Sequence, residues 1–353
     1  MGKGKYVAYV GTYTHGSSIG IHLYDVDAEE GTLTERKIVP VNNSSYITRS
    51  KNGKYLYSIA DEGVAVFRIH SDGDLEYINK VGIDGMRGCY LSVDETGKYL
   101  FVAGSHDGKV TVVHTHRDGR LGSVMNGVFH QGIGSVAERN FKPHVTCVLP
   151  TPDNNYLCAV DNGIDQVKLY RINKTKNKLE LVDIVRCRRE SGPREMLFSK
   201  NGKFAYLIHE MSNDIEVFVY RDTEKGPEFE RIQTISILAE ELDAMHDAAE
   251  ALVMSPDGKY LFASTAGDNS VTMFAIDEET GMIERQMALP ISGDYPKGMM
   301  LFPDGKHIAV VNHASNSITT FAVDYEKKII VLKGKPMKVE TPNCILIAEV
   351  EGE

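Results

Sequence analysis

Ser255-Pro256-Asp257-Gly258-Lys259-Tyr260-Leu261-Phe262 is the stretch that decides the fold, because the chain repeats it. Its core returns as Gly53-Lys54-Tyr55-Leu56-Tyr57, Gly97-Lys98-Tyr99-Leu100-Phe101, Gly202-Lys203-Phe204-Ala205-Tyr206 and Gly305-Lys306-His307-Ile308. Gly4-Lys5-Tyr6-Val7 opens the chain with the same words, and Asp153-Asn154-Asn155-Tyr156-Leu157 is a diverged version. Anchored on Gly4, Gly53, Gly97, Asn154, Gly202, Gly258 and Gly305, these seven copies are spaced 49, 44, 57, 48, 56 and 47 residues apart. A period of that length marks a repeat architecture.

Each copy reads as β structure. A turn pair precedes a short β-branched or aromatic run, and a second run alternates with period two, as in Ser270-Val271-Thr272-Met273-Phe274-Ala275-Ile276 and Ser317-Ile318-Thr319-Thr320-Phe321. Such alternation marks half-buried strands. Another turn follows at Gly31-Thr32-Leu33, Gly73-Asp74-Leu75, Gly119-Arg120-Leu121 and Gly281-Met282-Ile283, and one further run stands before each Asp-Gly turn, as in Pro193-Arg194-Glu195-Met196-Leu197-Phe198. Four strands per repeat is the blade of a β-propeller. The first copy lacks the strand that should precede its turn, and the run from Pro342 to Ala348 supplies one at the other end of the chain. The expected fold is therefore all-β, a seven-bladed β-propeller of four-stranded antiparallel blades. It forms a single domain over residues 1–353, in which a strand at about 342–348 completes the blade begun by residues 5–39.

Composition narrows the function classes. With 42% hydrophobic and 25% charged residues the balance is that of a globular protein. No run of eighteen apolar residues occurs, and Met1-Gly2-Lys3-Gly4-Lys5 leads directly into a strand, so neither a membrane partner nor a leader is expected and the expected location is cytoplasmic. A formal net charge of -10 argues against nucleic acid, whose backbone needs a basic face. Cys89, Cys147, Cys158, Cys187 and Cys344 are odd in number and lack metal-type spacing, so they read as buried free thiols. His114 and His116 alternate along one strand without a third ligand nearby and read as exposed residues, not a metal site. Neither a metal nor a cofactor is expected.

The chain has no Trp, which removes the Trp-Asp signature of WD40 repeats, and no recurring Gly-Gly turn points to kelch. Other segments carry a different likeness. Lys142-Pro143-His144-Val145-Thr146, Asp161-Asn162-Gly163-Ile164-Asp165, Ser191-Gly192-Pro193-Arg194, His209-Glu210-Met211, Asp247-Ala248-Ala249-Glu250 and Val311-Asn312-His313 follow one another around the blades. In that order and spacing the sequence resembles, over essentially its whole length, the seven-bladed lactonase family. That family includes the bacterial propeller-type 6-phosphogluconolactonases and the fungal carboxy-muconate lactonising enzymes.

The resemblance implies a pocket at one mouth of the central channel, with its working groups at His144, Arg194 and Glu210. Opening a cyclic ester requires an activated water and a stabilised oxyanion. His144 would serve as general base. Arg194 would stabilise the developing negative charge or hold a substrate carboxylate or phosphate. Glu210 would orient Arg194 or His144, or would itself be the base if burial raised its pKa. Removing His144 or Arg194 should then abolish activity without unfolding the chain. Further substrate contacts are expected from Arg87, His106, Asp161, His209, Glu250, Lys297 and His313.

The chain departs from the family pattern at Thr146 and Glu195, each in place of a His, at His209 in place of an Asn, and at Thr265-Ala266-Gly267, which lacks an arginine. The reading implied is a metal-independent lactonase for a small, anionic sugar lactone, with 6-phosphogluconolactone as default substrate and an altered specificity open. The alternatives are a cycloisomerase of the carboxy-muconate type, which the missing arginine disfavours, and a non-catalytic propeller that binds a small molecule or a protein.

Overall fold

The structure is a computed structural model and describes residues 4–134, 141–173, 175–239 and 247–351. The opening Met1-Gly2-Lys3, on which the expected leaderless start partly rested, lies outside these residues.

Seven four-stranded antiparallel sheets form the blades of a propeller. Blade 1 joins the two ends of the chain, with Pro342–Val350 innermost, followed by Lys5–Thr12, Gly20–Asp27 and Thr32–Pro40. In blades 2 to 7 the inner strands are Ile47–Arg49, Tyr90–Val93, Val145–Pro150, Pro193–Phe198, Ala248–Met254 and Pro296–Leu301. Their second strands are Tyr55–Ala60, Tyr99–Gly104, Leu157–Asp161, Phe204–His209, Tyr260–Ala266 and His307–Asn312. Inner strands of neighbouring blades touch in a closed circuit that includes the step from Pro342–Val350 to Ile47–Arg49. The expected closure is thus observed, with a C-terminal strand slightly longer than anticipated.

The repeated words are the start of each second strand, and the turn explains their spelling. Gly53, Gly97, Gly202, Gly258 and Gly305 have φ between 64° and 80°, a left-handed conformation that costs glycine nothing. The diverged copy puts Asn154 there at φ 59°, and Asn is among the side chains that tolerate this region.

Second strands are apolar on both faces because both are covered. Val7 and Tyr9 pack toward blade 2, while Ala8 and Val10 pack toward blade 7. The same division produces one apolar cluster at every seam of the ring. Tyrosine hydroxyls tie two of the seams, Tyr9 Oη donating to the Gly73 carbonyl at 2.7 Å and Tyr206 Oη to Gly281 at 3.1 Å. Outermost strands such as Thr32–Pro40 and Lys178–Arg186 are largely exposed and carry Lys, Arg and Glu, which discourages edge-to-edge pairing.

Candidate active site

The inner strands do not pair straight through. The ladder skips Asn343 between Pro342 and Cys344, Thr146 between Val145 and Cys147, Arg194 between Pro193 and Glu195, and Lys297 between Pro296 and Gly298. In blade 6 it skips Glu250 and Ala251. A bulged residue leaves the ladder, and its side chain is re-aimed. Here the bulges turn Asn343, Thr146, Arg194, Glu250 and Lys297 toward the channel, where all of them line one cavity of about 560 Å³. Ser45 and Cys89 fill the matching places in blades 2 and 3.

Two further rings complete the wall. Arg87, His144 and Tyr295 each stand two residues ahead of the bulge position, on the lead-in to an inner strand. Tyr13, Ser105, Asn162 and Glu210 are the first residues beyond their second strands. The propeller therefore gathers side chains distant in sequence by using equivalent positions of successive blades.

His144 is held at three points, the first its carbonyl oxygen, which accepts from the Asn162 N–H at 2.9 Å. Its backbone N–H donates to Asp161 Oδ1 at 2.8 Å, and its Nδ1 lies 2.6 Å from the Ser105 carbonyl oxygen. A carbonyl only accepts, so Nδ1 carries the proton and the neutral ring keeps its lone pair on Nε2. Beneath it, a Cβ on Gly163 would stand 1.7 Å from the Lys142 carbonyl oxygen and 2.8 Å from His144 Cδ2, so no larger residue fits. The short 3-10 turn Asn162–Ile164 that carries Gly163 is capped by Asp161, whose Oδ1 also accepts from the Gly163 N–H at 3.1 Å.

Arg194 sits between two carboxylates. Nη1 donates to Glu210 Oε2 at 2.6 Å, Nη2 pairs with Glu250 Oε2, and Nε donates to the Glu250 carbonyl at 2.9 Å. Burial works against the guanidinium's charge, but Glu250 and then Glu210 outweigh it and hold Arg194 above its ordinary value. Glu250 is pushed up by burial, with Arg194 opposing. Glu210 also accepts from Asn162 Nδ2 at 3.2 Å, which links the arginine to the turn beside His144. Because the Glu250 side chain is only 1% exposed, removing Arg194 would strand a buried carboxylate, so its loss cannot leave stability untouched, contrary to the expectation from sequence.

Of the expected contacts, His144, Arg194, Glu210, Arg87, His106, Glu250 and Lys297 share the wall. Asp161, His209 and His313 do not. Asp161 and His209 end their second strands, a register place that Thr12, Thr265 and Asn312 also occupy, and all five are fully buried in the seams. Asp161 accepts from His130 Nδ1 at 2.6 Å while bracing His144, and His209 faces Glu216 Oε2 at 3.3 Å. His313 stands one layer behind the wall, 5.8 Å edge-on to both Tyr13 and Tyr295. Ala266 is buried, and Glu250 is the wall residue of blade 6 among those described.

Tyr13, Tyr46, Tyr90, Asn162 and Tyr295 were not anticipated as wall residues, and Glu195, one of the departures from the family pattern, lines the wall as well. Glu195 follows the bulged Arg194. Its Oε2 accepts from the Leu252 N–H at 3.1 Å, and burial pushes its carboxyl up to about 7 against that bond and Arg194. His106 is held low by burial and then by Arg87. All five cysteines are free, and Cys147, Cys158 and Cys344 are buried, but Cys187 is only half-buried and the half-buried Cys89 lies on the wall instead of in the core. His114 is half-buried beside the exposed His116, the rings 5.1 Å apart. Away from the cavity, ligand atoms of Cys187, His209 and Glu216 lie within 4.8 Å of one another. Glu216 Oε1 already accepts from Arg188 Nε at 3.3 Å and Arg231 Nη1 at 2.7 Å, so a cation there would meet two guanidinium charges.

A family model described as "Lactonase, 7-bladed beta-propeller" matches residues 7–347. A 6-phosphogluconolactonase of Bacillus subtilis is 32% identical over 299 residues, covering 83% of this chain and 84% of that protein. A 6-phosphogluconolactonase of Formosa agariphila is 28% identical over 305 residues, covering 82% and 84% respectively. Among solved structures, the periplasmic gluconolactonase of Pseudomonas aeruginosa superposes with a TM-score of 0.92 at 29% identity, over 98% of this chain and 99% of that one.

Proposed function

Because the chain belongs to the seven-bladed β-propeller lactonase family, we propose that it hydrolyses a sugar lactone without a metal ion, with 6-phosphogluconolactone as the default substrate. The observation that carries this reading is the pairing of two groups on one wall: an imidazole whose Nδ1–H is committed to Ser105, and a guanidinium clamped between Glu210 and Glu250.

His144 Nε2 takes a proton from water, and the oxygen adds to the lactone carbonyl carbon. The carbonyl electron pair moves to its oxygen, where the remaining N–H donors of Arg194 stabilise the oxyanion. The pair then returns, the ring C–O bond breaks, and the departing ring oxygen takes the proton held on His144. Atoms and charge balance, and the product is the open hydroxy acid. Glu210 acts here as the residue that orients Arg194, since its Oε2 is engaged by that arginine and by Asn162. Asp161 positions His144 from behind the wall.

The test is hydrolysis of freshly generated 6-phosphogluconolactone and of gluconolactone against their spontaneous background, with and without EDTA. EDTA-insensitive acceleration is expected for at least the phosphorylated lactone; no acceleration of either would overturn the reading. We place this activity in the cytoplasm, within pentose phosphate carbohydrate metabolism. Five free cysteines favour a reducing compartment, and no helix among the described residues is long and apolar enough to cross a membrane. Cell fractionation checks the location.

A further inference from the structure

Three cations line the cavity, and they differ in what already neutralises them. The charge of Arg194 is already paired with the carboxylates of Glu210 and Glu250, although two of its N–H donors stay unspent. The side chains of Arg87 and Lys297 form no hydrogen bond or ion pair with any described residue. Both instead gather on aromatic rings: the Arg87 guanidinium lies 4.7 Å from the centroid of Tyr13, and Lys297 Nζ lies 5.5 Å from Tyr13 and 5.6 Å from Tyr295. Ring contacts of this kind attract the charge but leave the N–H donors unspent.

We propose that Arg87 and Lys297, gathered about the ring of Tyr13, form a subsite for a phosphate monoester, distinct from the oxyanion-facing Arg194. Two cations with no ion pair to a described residue suit a group that carries about −1.5 to −2 at pH 7 better than they suit a single carboxylate. The platform is built. Lys297 is thrown into the channel by its bulge, Arg87 comes from the lead-in to blade 3, and His313 packs edge-on against Tyr13 from behind. Burial lowers Lys297, with Glu250 pulling the other way, so an arriving anion relieves a charge the protein leaves exposed to a half-dry cavity. Glu210 and Glu250 are already paired with Arg194, so that stretch of the wall offers the phosphate little net charge, while Arg87 and Lys297 offer theirs. A phosphorylated lactone therefore enters in one orientation, phosphate toward Tyr13 and ring toward His144 and Arg194.

The inference rests on the lactonase reading for its place in the reaction, but phosphate binding does not require turnover. Inorganic phosphate, titrated by calorimetry against chloride at equal ionic strength, should bind the wild-type protein, and bind at least about tenfold more weakly to Arg87→Met and to Lys297→Met. In parallel, the ratio of kcat/KM for 6-phosphogluconolactone to that for gluconolactone should fall by about tenfold or more in each variant. Phosphate binding that is lost in the variants, in a protein that turns over neither lactone, would support the subsite while removing the lactonase reading. Turnover of both lactones with no phosphate binding by the wild type, or with a ratio unchanged in both variants, would overturn the subsite and leave the lactonase reading standing.

Discussion

His144 and Arg194 share a wall, yet removing them has different consequences. His144→Ala takes away a half-buried ring that bonds the Ser105 carbonyl and leaves the backbone N–H bond to Asp161 in place, so kcat should drop by roughly 10² to 10⁴ with Tm near wild type. Arg194→Ala strands the buried Glu250 and should cost about 3–5 kcal/mol of stability. Arg194→Ala combined with Glu250→Gln should recover much of that stability and none of the activity, as denaturant unfolding and a lactonase assay would show. Glu195 predicts a pH signature. Its carboxyl lies near 7 in the fold against 4.5 normally, so the folded chain holds a proton that the unfolded chain releases, and stability falls as pH rises from about 4.5 through 7. Glu195→Gln should therefore stabilise the protein at pH 8 by on the order of 1–3 kcal/mol and have little effect near pH 4. A pH-independent difference would mean that the carboxyl is not held up. At this scale the sequence was legible only to within one residue. His209 and Glu210 are neighbours in the same motif, but the first ends a strand and points into a seam while the second points into the cavity.

Strands and turns were read more securely than the way they pair. The recurrence of Gly-Lys-Tyr located every second strand, because the left-handed turn before it restricts which residues can stand there. Bulges left no such trace, since a bulge is a property of two strands and alternation within one strand does not report its partner. That is why Thr146, Arg194 and Lys297 showed as parts of separate motifs, and why their equivalence emerged only from the register. The residue beyond the last of these bulges tests how tightly the inner ring is drawn. A Cβ on Gly298 would lie 2.8 Å from the Asn343 carbonyl oxygen and 3.2 Å from Cys344 Cα, both backbone atoms of the closing strand. Gly298→Ala should destabilise by about 1–3 kcal/mol and disturb the cavity beside Lys297. Denaturant unfolding with an unchanged midpoint would show that the ring has slack there.

The whole molecule is a ring whose last strand belongs to its first blade, and that closure followed from counting the runs at the two ends of the chain. Pro342–Val350 pairs along Lys5–Thr12 and feeds both adjoining seams, Cys344 and Ala348 toward blade 2 and Ile345 and Ile347 toward blade 7. Ending the chain at Thr341 should abolish cooperative thermal unfolding, and a sharp transition in the shortened protein would contradict that role. The cavity lies where all seven blades meet, so its shape depends on the closed ring, whereas its chemistry depends on a few side chains. The most direct test of the account as a whole is kcat/KM for 6-phosphogluconolactone in wild type and His144→Ala, measured beside Tm for both. The account predicts clear acceleration over the spontaneous rate by the wild type and its loss by roughly 10² or more in a variant that melts normally. Equal activity in the two proteins, or none in the wild type, would contradict it.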